Sequence, residues 1–193
     1  MSKKVLVIMG HPDTKSFCAG LAESYAEGAR QAGAEVRAIS LSELNFDPIL
    51  RMGYHDVQQL EPDLSDAQES IKWAEHIVWV YPIWWGTMPA LLKGFLDRTF
   101  LPGFAFKYRE NSAFWDKYLT GRSGRMIVTM DAPVWYDRLV YFGGGRRTMK
   151  KAVLEFCGIK PVGVTAFGQV KSSDEAKRKK WIGKVRELGK GLK

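Results

Sequence analysis

Three short runs of this chain are apolar almost without interruption: Lys4-Val-Leu-Val-Ile-Met9, His76-Ile-Val-Trp-Val-Tyr81 and Arg125-Met-Ile-Val-Thr-Met130. A strand with one wet face alternates polar and apolar residues, so runs like these belong to strands covered on both faces, as in a parallel sheet. The segments between them read as helices. Phe17, Leu21, Tyr25, Ala29 and Ala32 share one helical face, and Gly33 ends that helix. Glu35 to Ser40 reads as a second strand, followed by an irregular connection over 44–65 that carries Pro48, Gly53 and Pro62. A short helix is expected over Asp66 to Glu75 with Ser65 as its cap, and another from Pro89 to Phe100 with Pro89 in its first turn. A second long connection covers 104–118, and a loop covers 131–145. Then come a helix from Arg147 to Phe156 stopped by Gly158, a fifth strand over Lys160 to Phe167, and a closing helix. This alternation predicts an α/β three-layer sandwich in a single domain over residues 1–193. Its five-stranded parallel sheet has right-handed crossovers and strand order 2-1-3-4-5.

In an open sheet of that order, ligands bind beyond the carboxyl ends of the strands, where strands one and three diverge. Three loops meet there: those after Met9, after Tyr81 and after Met130. The second is the most distinctive. Tyr81-Pro-Ile-Trp-Trp-Gly-Thr-Met-Pro89 makes a poor strand and a poor helix but a good flat wall. An aromatic shelf at that place points to a planar ligand, and a flavin is the first to consider. A flavin needs a flat contact and backbone donors near its pyrimidine oxygens and N1/N5. Pro82, Ile83, Trp84 and Trp85 can supply both, with Gly86 allowing close approach.

The first loop, Gly10-His-Pro-Asp-Thr-Lys-Ser16, enters a helix, and free amides at a helix N-terminus favour a phosphate. Thr14 and Ser16 add hydroxyls; His11 and Lys15 add charge-assisted donors. Read alone, the segment fits a plain capping turn equally well. It matches neither the dinucleotide fingerprint nor the P-loop.

Composition narrows the partners. The net charge of +8 would suit nucleic acid, but Asp174 to Lys193 holds eight Lys/Arg against three Asp/Glu. Trp181, Val185, Leu188 and Leu192 there share one helical face, so the excess reads as the solvated side of a docked helix, with no nucleic-acid partner. No apolar run approaches bilayer length, so no membrane insertion is expected. Cys18 and Cys157 lack metal or disulfide spacing, no metal site is expected, and the reading is a reducing cytoplasm. His55 and His76 lack partners at catalytic or ligand spacing and read as structural.

Five blocks in order carry a family resemblance. They are Val7-Ile-Met-Gly-His-Pro with Ser16-Phe17, then Phe46-Asp-Pro-Ile49, then Tyr81-Pro-Ile-Trp-Trp-Gly with Met88-Pro-Ala-Leu-Leu-Lys-Gly-Phe-Leu-Asp-Arg98. Gly103-Phe-Ala-Phe-Lys-Tyr108 and Leu154-Glu-Phe-Cys-Gly-Ile159 complete them. Over roughly residues 4–168 the chain resembles the NAD(P)H:quinone oxidoreductase family, flavoproteins of flavodoxin-like fold. The resemblance implies that His11, Ser16, Phe17 and Cys18 hold the phosphate and ribityl end of the flavin. It assigns the isoalloxazine to Pro82, Ile83, Trp84 and Trp85. It also implies a homodimer in which aromatic residues of the partner's 104–118 connection help close the site. The implied cofactor is FMN, with FAD as the alternative, and NAD(P)H is the co-substrate. The implied reaction passes hydride through the flavin to a quinone or similar planar acceptor by a ping-pong route.

The third loop departs from the family pattern. A Thr-Thr-Gly-Gly-like stretch is replaced by Thr129-Met-Asp131-Ala-Pro133, which puts Thr129 and Asp131 beside the ring without flexible glycines. Family enzymes place a Tyr and a His over the flavin. Here Tyr136 is the candidate catalytic residue, and no histidine follows His76. That gap favours a second reading, a flavin-binding accessory subunit regulating a membrane transporter. Gly143-Gly-Gly-Arg-Arg147 reads either as a flexible helix entry or as a grip on the 2′-phosphate of NADPH.

Overall fold

The computed structural model describes residues 2–192. Met1 and Lys193, the two ends of the predicted domain, lie outside them. The main sheet is built from β1 (Lys4–Met9), β2 (Glu35–Ser40), β3 (His76–Pro82), β6 (Ser123–Thr129) and β7 (Val162–Phe167). Its order is β2-β1-β3-β6-β7 with every pair parallel, the predicted 2-1-3-4-5 arrangement of a flavodoxin-like sandwich. Two further strands, β4 (Phe106–Tyr108) and β5 (Trp115–Lys117), pair antiparallel inside the second long connection.

The apolar strand runs have the reason the sequence suggests. Leu6, Ile8, Ile77, Trp79 and Tyr81 face one core with Leu64 and Ile71 of α2 (Pro62–Trp73) and Leu92 and Phe95 of α3 (Ala90–Thr99). Val5, Val7, Met9, Val78 and Val80 face a second core with Leu21 and Tyr25 of α1 (Phe17–Gln31) and Val185 of α7 (Glu175–Lys190). Successive residues alternate between two buried faces, so neither parity can be polar.

Three helix boundaries correct the sequence reading. α2 begins at Pro62 with Glu61 at its N-cap and ends at Trp73, so Ser65 lies inside the helix. Pro at the first helical position, where its missing N–H is not needed, outweighs a serine cap one turn later. The loop over 131–145 contains α4 (Val134–Leu139) and the start of α5 (Gly144–Arg147). From α5 the chain continues through a π-helical stretch, Thr148–Leu154, into α6 (Glu155–Cys157).

The basic closing helix docks as expected, through Val185 and the half-buried Trp181. It crosses α1 at glycines: a Cβ on Gly189 would lie 2.3 Å from the Tyr25 carbonyl oxygen, closer than any real contact. Gly189→Ala is therefore expected to lower stability by about 1–3 kcal/mol through overpacking. Gly183→Ala, whose Cβ meets nothing within 4 Å, should gain the ordinary helix preference of about 1 kcal/mol. Urea midpoints of the two variants should move in opposite directions.

Candidate functional site

A cavity of about 660 Å³ lies at the carboxyl ends of β1, β3 and β6. Its lining brings together His11, Ser16, Phe17, Cys18, Pro82, Ile83, Trp84, Trp85, Thr129 and Asp131, candidates from all three loops. Tyr136 is absent from that lining, and Tyr141 is on it.

Ser16 caps α1, its Oγ accepting the Ala19 N–H at 3.3 Å. Its own amide donates to the Asp13 carbonyl, closing the turn. A helix leaves its first N–H groups without intrahelical partners. Here the amides of Phe17 and Cys18, both on the cavity lining, are the ones left over. His11 is oriented by its neighbour: the Asp13 N–H donates to Nδ1 at 2.9 Å, which places the ring hydrogen of neutral imidazole on Nε2. Partial burial lowers the His11 pKa, and the Asp13 carboxylate pulls it part of the way back. Edge-on contact with Trp84, 5.2 Å between centroids at 75°, ties this loop to the next. Thr14 and Lys15 do not join the cradle. Thr14 lines a separate cavity between α1 and β2, and the Lys15 amide is spent on Asp13.

Cys18 is fully buried, and burial raises its thiol to about 11 despite a hydrogen bond with Thr129. A buried thiol so raised is little ionised at neutral pH. Thr129 acts as a clasp. Its Oγ1 lies 3.2 Å from Cys18 Sγ, and its carbonyl accepts the Ile83 N–H at 2.7 Å, so one residue fastens all three loops.

The shelf is a hairpin turn. Trp84 and Thr87 exchange both backbone hydrogen bonds, 2.8 and 3.0 Å, and the central residues Trp85 and Gly86 have φ of 51° and 75°. Positive φ at both central positions is the type I′ geometry. It suits Gly86 but costs about 1–2 kcal/mol at a residue with a Cβ such as Trp85. Trp85 nonetheless sits there fully exposed, and Trp84 is 44% exposed. The amides of Ile83 and Trp84 are already bonded within the protein, contrary to the expectation that the residues after Pro82 would offer theirs to a ring. Trp85 and Gly86 carry the amides with no backbone partner in this turn.

On the third side, Asp137 is buried and paired with Arg146 at 2.6 Å, which anchors α4 to α5. Tyr141 stands edge-on to Tyr136, 5.4 Å between centroids, and a hydrogen bond to Tyr136 holds the Tyr141 phenol above its ordinary pKa. Asp131 Oδ1 accepts the Lys171 amide at 2.9 Å. This draws in a fourth loop, after β7, from which Val170 reaches the lining. The sequence reading missed Val170, Asp137 and Tyr141. The parallel β7 ends at the same sheet edge as the other strands, and that was the available signal.

His55 is exposed and outside the cavity, and His76 is buried between Tyr25 and Ser123. Among the described residues there is no His/Cys/Asp/Glu cluster able to hold a metal, and no helix long and apolar enough to cross a membrane.

Comparison with known proteins agrees with this picture. The family model described as flavodoxin-like fold matches residues 3–188. An uncharacterized NAD(P)H oxidoreductase of Haemophilus influenzae is 29% identical over 186 residues, covering 92% of this chain and 89% of its own length. The ribosyldihydronicotinamide dehydrogenase [quinone] of Mus musculus is 26% identical, covering 91% and 86%. An FMN-dependent NADH-azoreductase of Bacillus anthracis, solved in complex with FMN, superposes with a TM-score of 0.78 at 20% identity, over 98% of this chain and 99% of that one. With nearly its whole length matched and the sheet order in place, the chain belongs to the flavodoxin-like fold family.

Proposed function

We propose that the protein is a flavin-dependent NAD(P)H oxidoreductase, with FMN as its cofactor and a quinone or similar planar molecule as acceptor. One observation carries this reading: a single cavity joins two uncommitted amides at the start of α1 to a projecting pair of indoles. Its volume lies in the range of roughly 300–1,000 Å³ usual for small-molecule sites. The names of the Haemophilus, mouse and Bacillus proteins support the nicotinamide, quinone and FMN assignments respectively.

When bound, the flavin supplies hydride transfer, taking it from the nicotinamide and giving it to the acceptor as the two occupy one pocket in turn. The protein's part is to hold and enclose. The Phe17 and Cys18 amides, the Ser16 hydroxyl and His11 Nε2–H would bind the phosphate end, aided by the dipole of α1. Neutral His11 donates there without needing a proton from solvent. Pro82, Ile83, Trp84 and Trp85 would form the ring wall, with the Trp85 and Gly86 amides as donors to it. Tyr141, on the cavity lining, would stand over the ring, and Tyr136 would act by positioning it. Asp131, bonded to the Lys171 amide, would stand at the ring's edge. A homodimer would bring the partner's 104–118 ribbon over the opening and cover Tyr108 and Phe114, which are 62% and 70% exposed.

FMN fluorescence titration tests the cradle. The unmodified protein should quench FMN with one site per chain. The double variant His11→Ala with Ser16→Ala should bind it roughly 10–100-fold more weakly, the loss expected for two hydrogen bonds of about 1 kcal/mol each. Equal affinity in both proteins would place the phosphate elsewhere.

A further inference from the structure

A second cavity, of about 310 Å³, lies among α4, α5 and β7. Arg138, Arg146, Arg147 and Lys150 line it together with Phe142 and Val164, and among the described residues no carboxylate does. Two of the four cations are occupied. Arg146 is paired with Asp137, and Lys150 donates to the Val162 carbonyl at 2.8 Å and lies 3.9 Å from a Glu155 carboxylate oxygen. Arg138 and Arg147 are exposed and make no hydrogen bond or ion pair among the described residues. Two unpaired guanidinium groups on one concavity that no carboxylate lines favour an anion, and a dianion most of all. Their planar forks match phosphate oxygens two at a time.

Phe142 adds an independent observation. It is 72% exposed at the rim of this cavity and has φ of 52°, a backbone conformation unfavourable for any residue with a Cβ. An aromatic ring held out under strain beside a phosphate-sized cluster of cations suits a nucleobase carrying a phosphomonoester. The second cavity also shares a wall with the first. Asp137 lines the larger one, and its partner Arg146 lines the smaller.

We propose that this second cavity receives the adenosine 2′-phosphate of NADPH, with Arg138 and Arg147 on the phosphate and Phe142 against the adenine. Arg138 and Arg147 would then set a preference for NADPH over NADH. This rests on the reading of the larger cavity as the site of nicotinamide oxidation. It also divides the arginines of the 143–147 segment: Arg147 takes the phosphate role, Arg146 is structural, and Arg138 joins from α4.

Calorimetry and steady-state kinetics on the purified protein and on the double variant Arg138→Ala with Arg147→Ala test this, both positions being exposed and outside the cores. 2′,5′-ADP should bind about tenfold or more tighter than 5′-ADP, and the double variant should lose that margin. In turnover the variant should raise KM for NADPH roughly 10–100-fold while kcat, and KM for NADH, stay within about twofold. Equal binding of 2′,5′-ADP and 5′-ADP would overturn the proposal, as would equal damage to NADPH and NADH turnover. Inorganic phosphate binding as tightly as 2′,5′-ADP would also overturn it, assigning the cations to a free anion. A protein that oxidises neither nicotinamide would contradict the oxidoreductase reading, while the two ADP isomers would still decide whether the phosphate site exists.

Discussion

Replacing Arg98 with alanine is expected to destabilise the protein by about 3–5 kcal/mol, the range for breaking a buried ion pair by removing one partner. The Arg98 side chain, on α3, has no solvent exposure. Its guanidinium donates to Glu61 at 2.7 and 3.2 Å and to the carbonyls of Asp47 and Gln59. One cation therefore fastens both ends of the 47–61 connection, which contains no regular secondary structure. Lysine at this position keeps the charge but lacks the planar fork, so Arg98→Lys should recover only part of the loss. Urea denaturation checks the ordering: unmodified protein most stable, then lysine, then alanine.

Acidification should weaken the fold through His76. Burial, helped by the nearby cations Lys3 and Arg125, lowers its pKa to about 4. An unfolded chain returns it to roughly 6.5, so between these values the unfolded state binds the extra proton. The stability His76 contributes as neutral imidazole is complete above pH 6.5 and is lost as the pH falls toward 4. The loss totals about 3 kcal/mol, of which about 2 kcal/mol should appear by pH 5. Its neighbours explain why it stays neutral: Ser123 Oγ lies 2.7 Å from Nδ1 and the Tyr25 hydroxyl 3.1 Å from Nε2. Two hydroxyls can satisfy a neutral ring, but they supply no negative charge for an imidazolium. His76→Gln should flatten the slope of stability against pH between 7 and 5, as measured by urea midpoints across that range. An unchanged slope would assign the titration to another group.

The strands were legible because a buried parallel strand has no polar parity to obscure it. Once the strand order followed from the α/β alternation, the meeting place of the loops followed too. The start of α1 was legible too, since Ser16 caps it in the way its residue type prefers. What the sequence did not disclose lies where tertiary contacts choose between local options. α4 is only six residues long, too short for apolar periodicity to reveal it inside the 131–145 loop, so which of that loop's residues reach the cavity was not legible. Which backbone amides remain free in the turn after β3 depends on Thr129 and Thr87 accepting from Ile83 and Trp84. The pairing of Asp137 with Arg146 spans nine positions and required the two short helices to be in place. Ser65 lost to Pro62 as the start of α2 because both signals were present and proline fits only the first turn.

A flavin bound in this cavity should be reduced by NAD(P)H, and anaerobic spectroscopy of the FMN-loaded protein reads that reduction. On addition of NAD(P)H the flavin absorbance should bleach, and a quinone added afterwards should restore it without further nicotinamide. A protein that retains no FMN, or one that retains it but keeps its full absorbance with NADH and NADPH alike, would contradict the account.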